Sequence, residues 1–258
     1  MTDIETALGD LVVANRILAN ENVVDAYGHV SVRRPDDPER FFLSCSRSPE
    51  LVSREDIMEF GLDGQASGGD ERTPYLERFI HAGVYERNPD AVAVVHSHAE
   101  EVLPYSIADE PLRPVIHSAG LMGGRAPVWD IADRFGDTTL LVVDMEQGRD
   151  LAGALDDHRV VLMRGHGFTA AARSLSEVVR LSVMLPRNAR ILTTALRFGR
   201  VKGLSEGEIA KRLRMNPDGP EFWRAWEYWA TRAGCAEMLE GHPNRNGRPG
   251  PPTPQAGG

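Results

Sequence analysis

Apolar positions along the chain change their spacing several times, and each spacing predicts a different element. The first apolar stripe has helical spacing and predicts an amphipathic opening helix: Ile4, Leu8, Leu11, Val12 and Leu18. Two short apolar segments, 30–32 and 41–44, flank the turn-rich residues 34–38 and predict a pair of strands. A third strand is expected at 57–60, followed by a polar, glycine-rich loop.

Two continuous apolar runs, 91–96 and 160–163, predict buried strands. Each run ends in a polar segment that contains histidine, which places polar side chains where a buried strand emerges. Between the runs, the pattern predicts a short helix after residue 99, a strand near 114–117 and a helix near 151–155. A helix is also expected over 75–87, stopped by the Asn-Pro pair that follows it.

The C-terminal third of the sequence reads as helical. Ser174 and Glu177 are spaced to begin a long helix towards residue 198, which Pro186 is expected to kink or split. A Ser-x-x-Glu motif at 205–208 opens another helix. The last helix carries an aromatic stripe that favours core or subunit packing over ligand binding: Phe222, Trp223, Trp226 and Trp229. We expect one α/β domain over residues 1–241 and a disordered tail, rich in Pro and Gly, over 242–258.

The amino-acid composition restricts the possible binding partners more than it restricts the possible folds. The 258 residues carry a formal net charge of −9, which argues against nucleic-acid or anionic-membrane partners, so any acidic substrate must be held by local cations. The apolar runs are far shorter than the roughly 20 residues of a membrane helix, and no signal peptide is visible. Cys45 and Cys235 are too few for a disulfide framework, and we expect a reducing, cytoplasmic setting.

His96-Ser-His98 is the sharpest chemical feature. Side chains at positions i and i+2 of a strand point to one face, so both imidazoles can reach one divalent ion, although a lone motif of this kind is more often just two polar residues at a strand end. His166 strengthens the metal interpretation because it also follows a buried run and lies between two glycines, where backbones can approach closely. Three imidazoles with an open position suit catalytic Zn, Mn or Fe.

Glu77 is a fourth candidate for this site. Its apolar neighbours, among them Tyr75, Leu76 and Phe79, predict partial desolvation and a pKa raised towards acid–base use. An acidic residue in the first turns of a helix is more often a solvated group, and His81, four residues later, is positioned to pair with it if both lie in one helix.

Four segments, in order and spacing, resemble the class II aldolase/adducin family: 28–33, 77–81, 93–98 and 164–167, within a similarity that covers about residues 5–200. The resemblance implies an α/β, three-layer sandwich with a central mixed or antiparallel sheet flanked by helices. It also implies one divalent metal ion bound by His96, His98 and His166, with Glu77 transferring protons. A homotetramer is implied, with the site near a subunit boundary.

Two departures separate the chain from the sugar-phosphate aldolases of this family. Those enzymes bind phosphate with a Gly-Asn-x-Ser segment and two small hydroxyl residues, where this chain has His29 and the pair Tyr75-Leu76. A phosphorylated substrate therefore becomes doubtful. The aldolases also place a catalytic Tyr after the His of a Pro-x-x-His segment, whereas Ser118 follows His117 here.

The remaining motifs resemble the decarboxylase branch, in particular hydroxypyridine-dicarboxylate and dihydroxyphthalate decarboxylases, which share the segment 46–52 and the string Met-Arg-Gly-His-Gly. The resemblance implies a lyase that decarboxylates a small hydroxylated aromatic or heteroaromatic acid. Aldol cleavage of an unphosphorylated hydroxy-carbonyl compound, non-haem iron oxygenation and, least favoured, an adducin-like interaction module are the alternatives. The candidates for binding or protonating such a substrate are Ser46, Arg47, Arg164, His29 and His117, with surface ion pairs and core histidines as alternatives.

Overall fold

The computed structural model describes residues 3–216 and 219–245. One seven-stranded sheet has the order β3-β2-β1-β4-β7-β6-β5, and neighbouring strands are antiparallel except for the parallel pair β5–β6. The strands are β1 (His29–Arg33), β2 (Arg40–Ser44), β3 (Ile57–Gly61), β4 (Ala93–Ser97), β5 (Val128–Trp129), β6 (Val160–Met163) and β7 (Gly167–Ala172). The three strands predicted at 30–32, 41–44 and 57–60 are confirmed.

Helices cover both faces of this sheet: α1 (Ile4–Asn20), α2 (Arg78–Arg87), α3 (Leu103–Ile107), α4 (Ala132–Phe135), α5 (Met145–Leu155), α6 (Leu175–Leu196), α7 (Glu206–Leu213) and α8 (Pro220–Arg232). Side chains alternate across β4, so Val95 joins the core under α1, α6 and α8, whereas Val94 joins the core under α2 and α5. The predicted three-layer sandwich with a mixed sheet is confirmed. Among the described residues, no helix combines the length and apolarity needed to span a membrane.

Helix boundaries differ from the predicted ones at two informative places. Helix α2 begins at Arg78, three residues later than predicted, and Glu77 is its N-cap residue, with non-helical backbone angles. Helix α6 runs unbroken through Pro186, and the Ser174 hydroxyl accepts a hydrogen bond from the Glu177 N–H at its start. The predicted start of α6 is therefore confirmed, and the predicted split at Pro186 is wrong.

The strand predicted near 114–117 is also wrong. This segment pairs with a side chain instead of a strand: the Val115 N–H donates to Asn188 Oδ1, and Asn188 Nδ2 donates to the Arg113 carbonyl. Because α6 supplies these hydrogen bonds, the backbone needs no sheet partner. A 3₁₀ helix then runs over His117–Met122, and the sheet gains its edge strand later, at β5.

The aromatic stripe of α8 lies inside the protomer. Phe222, Trp223, Trp226 and Trp229 are buried in the core that α1 and α6 share, as the core-packing interpretation predicted. The His242 ring stacks on Trp223 with centroids 4.7 Å apart, and its Nε2 lies 3.1 Å from Asp10 Oδ2. The folded body thus continues past residue 241, and the rest of the predicted tail, 246–258, lies outside the described residues.

Helices α2 and α5 cross at two glycines. A Cβ on Gly83 would stand 2.4 Å from the Gly148 carbonyl oxygen, and one on Gly148 would stand 2.2 Å from the Phe79 carbonyl oxygen. Both obstacles are backbone atoms, so a side chain at either position must push the helices apart. This contact therefore fixes α2, and with it the position of Glu77, against the segment that precedes α5.

Gly83→Ala is expected to lower the free energy of unfolding by about 1–3 kcal/mol, because it overpacks this crossing. Gly153→Ala is the matched control: Gly153 lies in α5 with no atom within 4 Å of an added Cβ, so the change should be neutral or slightly stabilising. Urea unfolding of both variants measures the difference. Equal stability of the two variants would contradict the close crossing.

Candidate metal centre and active site

Two adjacent strand ends bring three histidines together. His96 lies in β4 opposite Thr169 of β7, His98 follows the end of β4, and His166 lies in the turn from β6 to β7. The turn approaches β4 closely, since a Cβ on Gly167 would stand 2.1 Å from the Ser97 carbonyl oxygen. The glycine after His166 is therefore required for the backbone approach that the sequence predicted.

The ring nitrogens converge on one point. Nε2 of His98 lies 3.0 Å from Nε2 of His96 and 3.1 Å from Nε2 of His166. Oε2 of Glu77 lies 3.5 Å from the His96 nitrogen and 3.6 Å from the His166 nitrogen. One donor atom from each of the four residues lies within 4.8 Å of the other three, which suits coordination of a single ion.

Backbone carbonyls orient two of the rings. Nδ1 of His96 is 3.1 Å from the Phe168 oxygen, and Nδ1 of His166 is 2.9 Å from the Leu140 oxygen. Since a carbonyl only accepts, both rings carry hydrogen on Nδ1, and Nε2 is the nitrogen that each ring directs to the centre. Nitrogen lone pairs this close together repel unless a cation lies between them, so the donor set fits a divalent metal ion.

Protonation states support the same conclusion. Burial and, after it, the nearby His96 ring lower the pKa of both His98 and His166 to about 4. Both imidazoles are therefore neutral at pH 7, which is the form that binds a metal.

The Glu77 carboxylate differs from the sequence prediction. Burial would raise its pKa, but His96, His166 and the Val142 N–H, which donates to Oε1 at 3.0 Å, together lower the pKa to about 2. The prediction of a raised pKa is therefore wrong, because the groups that stabilise the anion outweigh desolvation. At neutral pH and without a bound cation, Glu77 is a carboxylate.

A cavity of about 610 Å³ opens over this centre, and three of the four side chains border it. Its wall contains Glu77, His98 and His166 together with three of the substrate candidates, Ser46, Arg47 and His29; the rest comes from Ala26, Tyr27, Gly28, Ser48, Tyr75, Leu76, Leu141 and Gly165. The sequence reasoning overlooked Tyr27 and Leu141. Tyr27 could have been predicted, because it directly precedes the Gly-His motif, whereas no sequence pattern indicates Leu141.

The two candidate arginines lie in different places. Arg47 lines the cavity, half-exposed, with its Nε 2.8 Å from the Leu51 oxygen and 3.2 Å from Asp56 Oδ2. Arg164 is absent from the cavity wall and forms an ion pair with Asp130 outside it. Of the two, only Arg47 is available to a ligand in the cavity of one protomer.

The two candidate catalytic histidines also separate. His29 is buried at the start of β1, directly opposite His96, and its ring borders the cavity. His117 is exposed on its 3₁₀ helix and does not line the cavity. His81 does not pair with Glu77 as expected: its Nε2 lies 2.6 Å from His29 Nδ1.

Comparison with known proteins agrees with this geometry. Residues 9–193 match the class II aldolase and adducin N-terminal domain. Decarboxylase tropJ of Talaromyces stipitatus is 37% identical over 205 residues, 74% of this chain and 77% of the relative. The 3,4-dihydroxyphthalate decarboxylase of Arthrobacter keyseri is 28% identical over 245 residues, 88% of this chain and 93% of the relative.

The same fold occurs among solved structures. An aldolase II superfamily protein from Pseudomonas syringae superposes with a TM-score of 0.73 at 20% identity, covering 90% of this chain and 93% of its own. The matched segment contains Glu77 and all three metal-ligand candidates, and the relatives extend over most of the described body. The chain belongs to the class II aldolase and adducin N-terminal domain family.

Proposed function

We propose that this protein is a divalent-metal-dependent carbon–carbon lyase that decarboxylates a hydroxylated aromatic or heteroaromatic acid. One observation carries the proposal: the Glu77 and three-histidine centre opens into a cavity that has a cationic side chain, Arg47, in its wall. The names of the two decarboxylase relatives support carboxy-lyase chemistry, and that of the second supports an aromatic hydroxy acid as substrate.

His96, His98 and His166, with Glu77 beside them, would hold the ion, for which Zn, Mn and Fe remain the candidates. Bound there, a divalent ion supplies Lewis-acid stabilisation of the negative charge that develops when CO2 leaves. The hydrogen bonds from Nδ1 of His96 and His166 to backbone carbonyls keep those rings facing the ion.

Glu77 moves the proton in this proposal. The substrate binds as a carboxylate, so the proton comes from solvent: Glu77 takes it up and delivers it to the ring carbon as the carbon–carboxylate bond breaks. The electron pair of the broken bond forms the new C–H bond and the substrate carboxylate leaves as CO2, with no oxidant or reductant. The Val142 N–H holds the carboxylate in place through Oε1 and leaves Oε2 towards the centre.

The cavity wall favours a planar acid over a phosphate ester. The Tyr75 hydroxyl is occupied, since it donates to the Arg47 carbonyl and accepts from Ser44 Oγ at 3.1 Å, and the neighbouring Leu76 adds an apolar surface. Ser46 and Arg47 are then the groups that bind a substrate carboxylate, and His29 is the group that contacts a ring hydroxyl.

We also propose, from the family resemblance, that the active form is a cytoplasmic homotetramer. His117 is exposed and lies outside the cavity wall of its own protomer, so it would take part in the reaction only from a neighbouring copy. Light scattering coupled to size-exclusion chromatography measures the assembly, and a monomer that turns over fully would contradict a role for His117.

The proposed reaction is tested by loading the protein anaerobically with Mn, Fe or Zn and supplying a panel of ortho-hydroxy aromatic acids. CO2, aldehyde and O2 uptake are followed together. CO2 release without O2 uptake is the expected result. Aldehyde release without CO2 would support aldol cleavage instead, and O2 consumption coupled to turnover would support an oxygenase.

Arg47→Gln is expected to raise KM for an acidic substrate about tenfold or more, with a smaller change in kcat, because it removes a charged hydrogen bond to the carboxylate. Arg164→Gln is the matched control, since Arg164 also pairs with an aspartate but lies outside the cavity wall. Steady-state kinetics of both variants would contradict the assignment if Arg164→Gln raised KM more than Arg47→Gln.

A further inference from the structure

A chain of buried hydrogen bonds leads away from the cavity behind His29. Nδ1 of His29 lies 2.6 Å from His81 Nε2, and His81 Nδ1 lies 2.6 Å from Ser31 Oγ. Ser31 Oγ lies 2.8 Å from the Tyr85 hydroxyl, which donates to the Val92 carbonyl at 3.4 Å. All four side chains are buried on the sheet face that α2 covers.

The far end of the chain sets the direction of its hydrogens. The Val92 carbonyl can only accept, so the Tyr85 hydroxyl donates to it and accepts from Ser31. Ser31 then accepts from His81 Nδ1–H, which leaves His81 Nε2 as the acceptor for His29 Nδ1–H. The opposite direction makes the same three short contacts but loses the bond from Tyr85 to the Val92 carbonyl, which the Arg33 N–H also donates to at 2.7 Å, so it makes one hydrogen bond fewer.

Both histidines are neutral in this chain. Burial and, after it, the nearby His96 ring lower the pKa of His81 to about 3; burial, followed by the neighbouring histidines, lowers the pKa of His29 well below its ordinary value. Burial also raises the pKa of Tyr85, so its hydroxyl remains a donor. Each imidazole therefore carries one hydrogen, and its position on the ring is decided by the hydrogen bonds alone.

We infer that His81, through Ser31 and Tyr85, is a positioning residue that holds His29 as the Nδ1–H tautomer, with an unprotonated Nε2 left to accept a hydrogen bond from a substrate hydroxyl. The tautomer follows from the contacts themselves, and the role towards the hydroxyl rests on the proposed function. His29 thereby distinguishes a ring that carries a free hydroxyl from one that carries an ether, because an ether oxygen offers His29 no hydrogen.

The tautomer is measured by long-range ¹H–¹⁵N correlation spectra of the full-length, ¹⁵N-labelled protein with and without Zn²⁺, with His29 assigned from the spectrum of His29→Gln. The expected wild-type pattern has hydrogen on Nδ1 of His29. Tyr85→Phe should move it to Nε2, because the Ser31 hydroxyl loses its acceptor and turns to His81 Nδ1. Tyr105→Phe, which removes a buried hydroxyl bonded to Thr193 and the Ala189 carbonyl, is the control and should change nothing.

Hydrogen on Nε2 of wild-type His29, or an unchanged tautomer in Tyr85→Phe, would overturn the inference. Kinetics give the second readout. Tyr85→Phe should lower kcat/KM for substrates with a free hydroxyl about tenfold and leave kcat/KM for their methoxy analogues nearly unchanged. The ratio of the two kcat/KM values should therefore fall. The absence of turnover on every substrate would contradict the proposed function alone, since the spectra decide the tautomer independently.

Discussion

His96→Ala is expected to abolish metal binding and turnover together. The His96 ring is fully buried, its Nε2 is 3.0 Å from that of His98, and its Nδ1 is fixed by the Phe168 carbonyl. Because loss of a group that merely orients a ligand already costs about 10–100-fold in metal affinity, loss of the ligand itself should exceed that factor. Metal content after dialysis and turnover of the reloaded protein measure the two effects.

His158→Ala is the control for this experiment. His158 is exposed in the loop before β6 and is no part of the four-residue cluster, so its variant should bind metal and turn over as the wild type does. Thermal unfolding of both variants separates a lost ligand from a lost fold. Full activity in folded His96→Ala would show that the site assignment is wrong.

Glu77→Gln should keep the metal and lose turnover by about 10²–10⁴-fold, the range that a positioned proton-transfer group contributes. The amide has the shape of the carboxyl group and can still accept the Val142 N–H, so the three imidazoles keep their arrangement. It cannot take up a proton and deliver it to the ring carbon. Metal content, measured with single-turnover CO2 release, distinguishes this result from the loss of both properties expected for His96→Ala.

A Glu77→Gln variant that retains near wild-type turnover would assign proton transfer to another group. A variant that loses its metal would instead make Glu77 an essential ligand. Its carboxylate oxygen lies 3.5 Å from the His96 nitrogen and 3.6 Å from the His166 nitrogen, which is compatible with either role, proton transfer or metal coordination, and the experiment separates them.

Much of the centre is visible in the sequence because its positions follow strand periodicity. His96 and His98 share a sheet face through their spacing of two, and His166 is marked by the buried run before it and the glycines beside it. These features depend on local sequence alone. The metal-ligand candidates could therefore be placed at the end of the correct strands without a structure.

The environment of Glu77 could not be read in the same way. The expected pair with His81 presumes that both residues lie in one helix, but Glu77 is the N-cap residue with φ −89° and ψ 21°. Its actual partners are the rings of His96 in β4 and His166 in the turn from β6 to β7, and a backbone N–H from Val142, all distant in sequence. Since only the folded sheet brings these groups to Glu77, neither the lowered pKa nor the freedom of His81 to bond His29 was predictable.

Three consecutive residues before α5, 140–142, contribute two backbone hydrogen bonds to the centre and one side chain to the cavity wall. The Leu140 carbonyl fixes the His166 ring and the Val142 N–H fixes Glu77, whereas the residue between them, Leu141, borders the cavity. The candidate centre thus depends on a carbonyl, which every amino acid provides, and on an N–H, which every amino acid except proline provides. Evolution can therefore alter which ring fits the cavity by exchanging residue 141 while the hydrogen bonds on either side continue to hold the centre together.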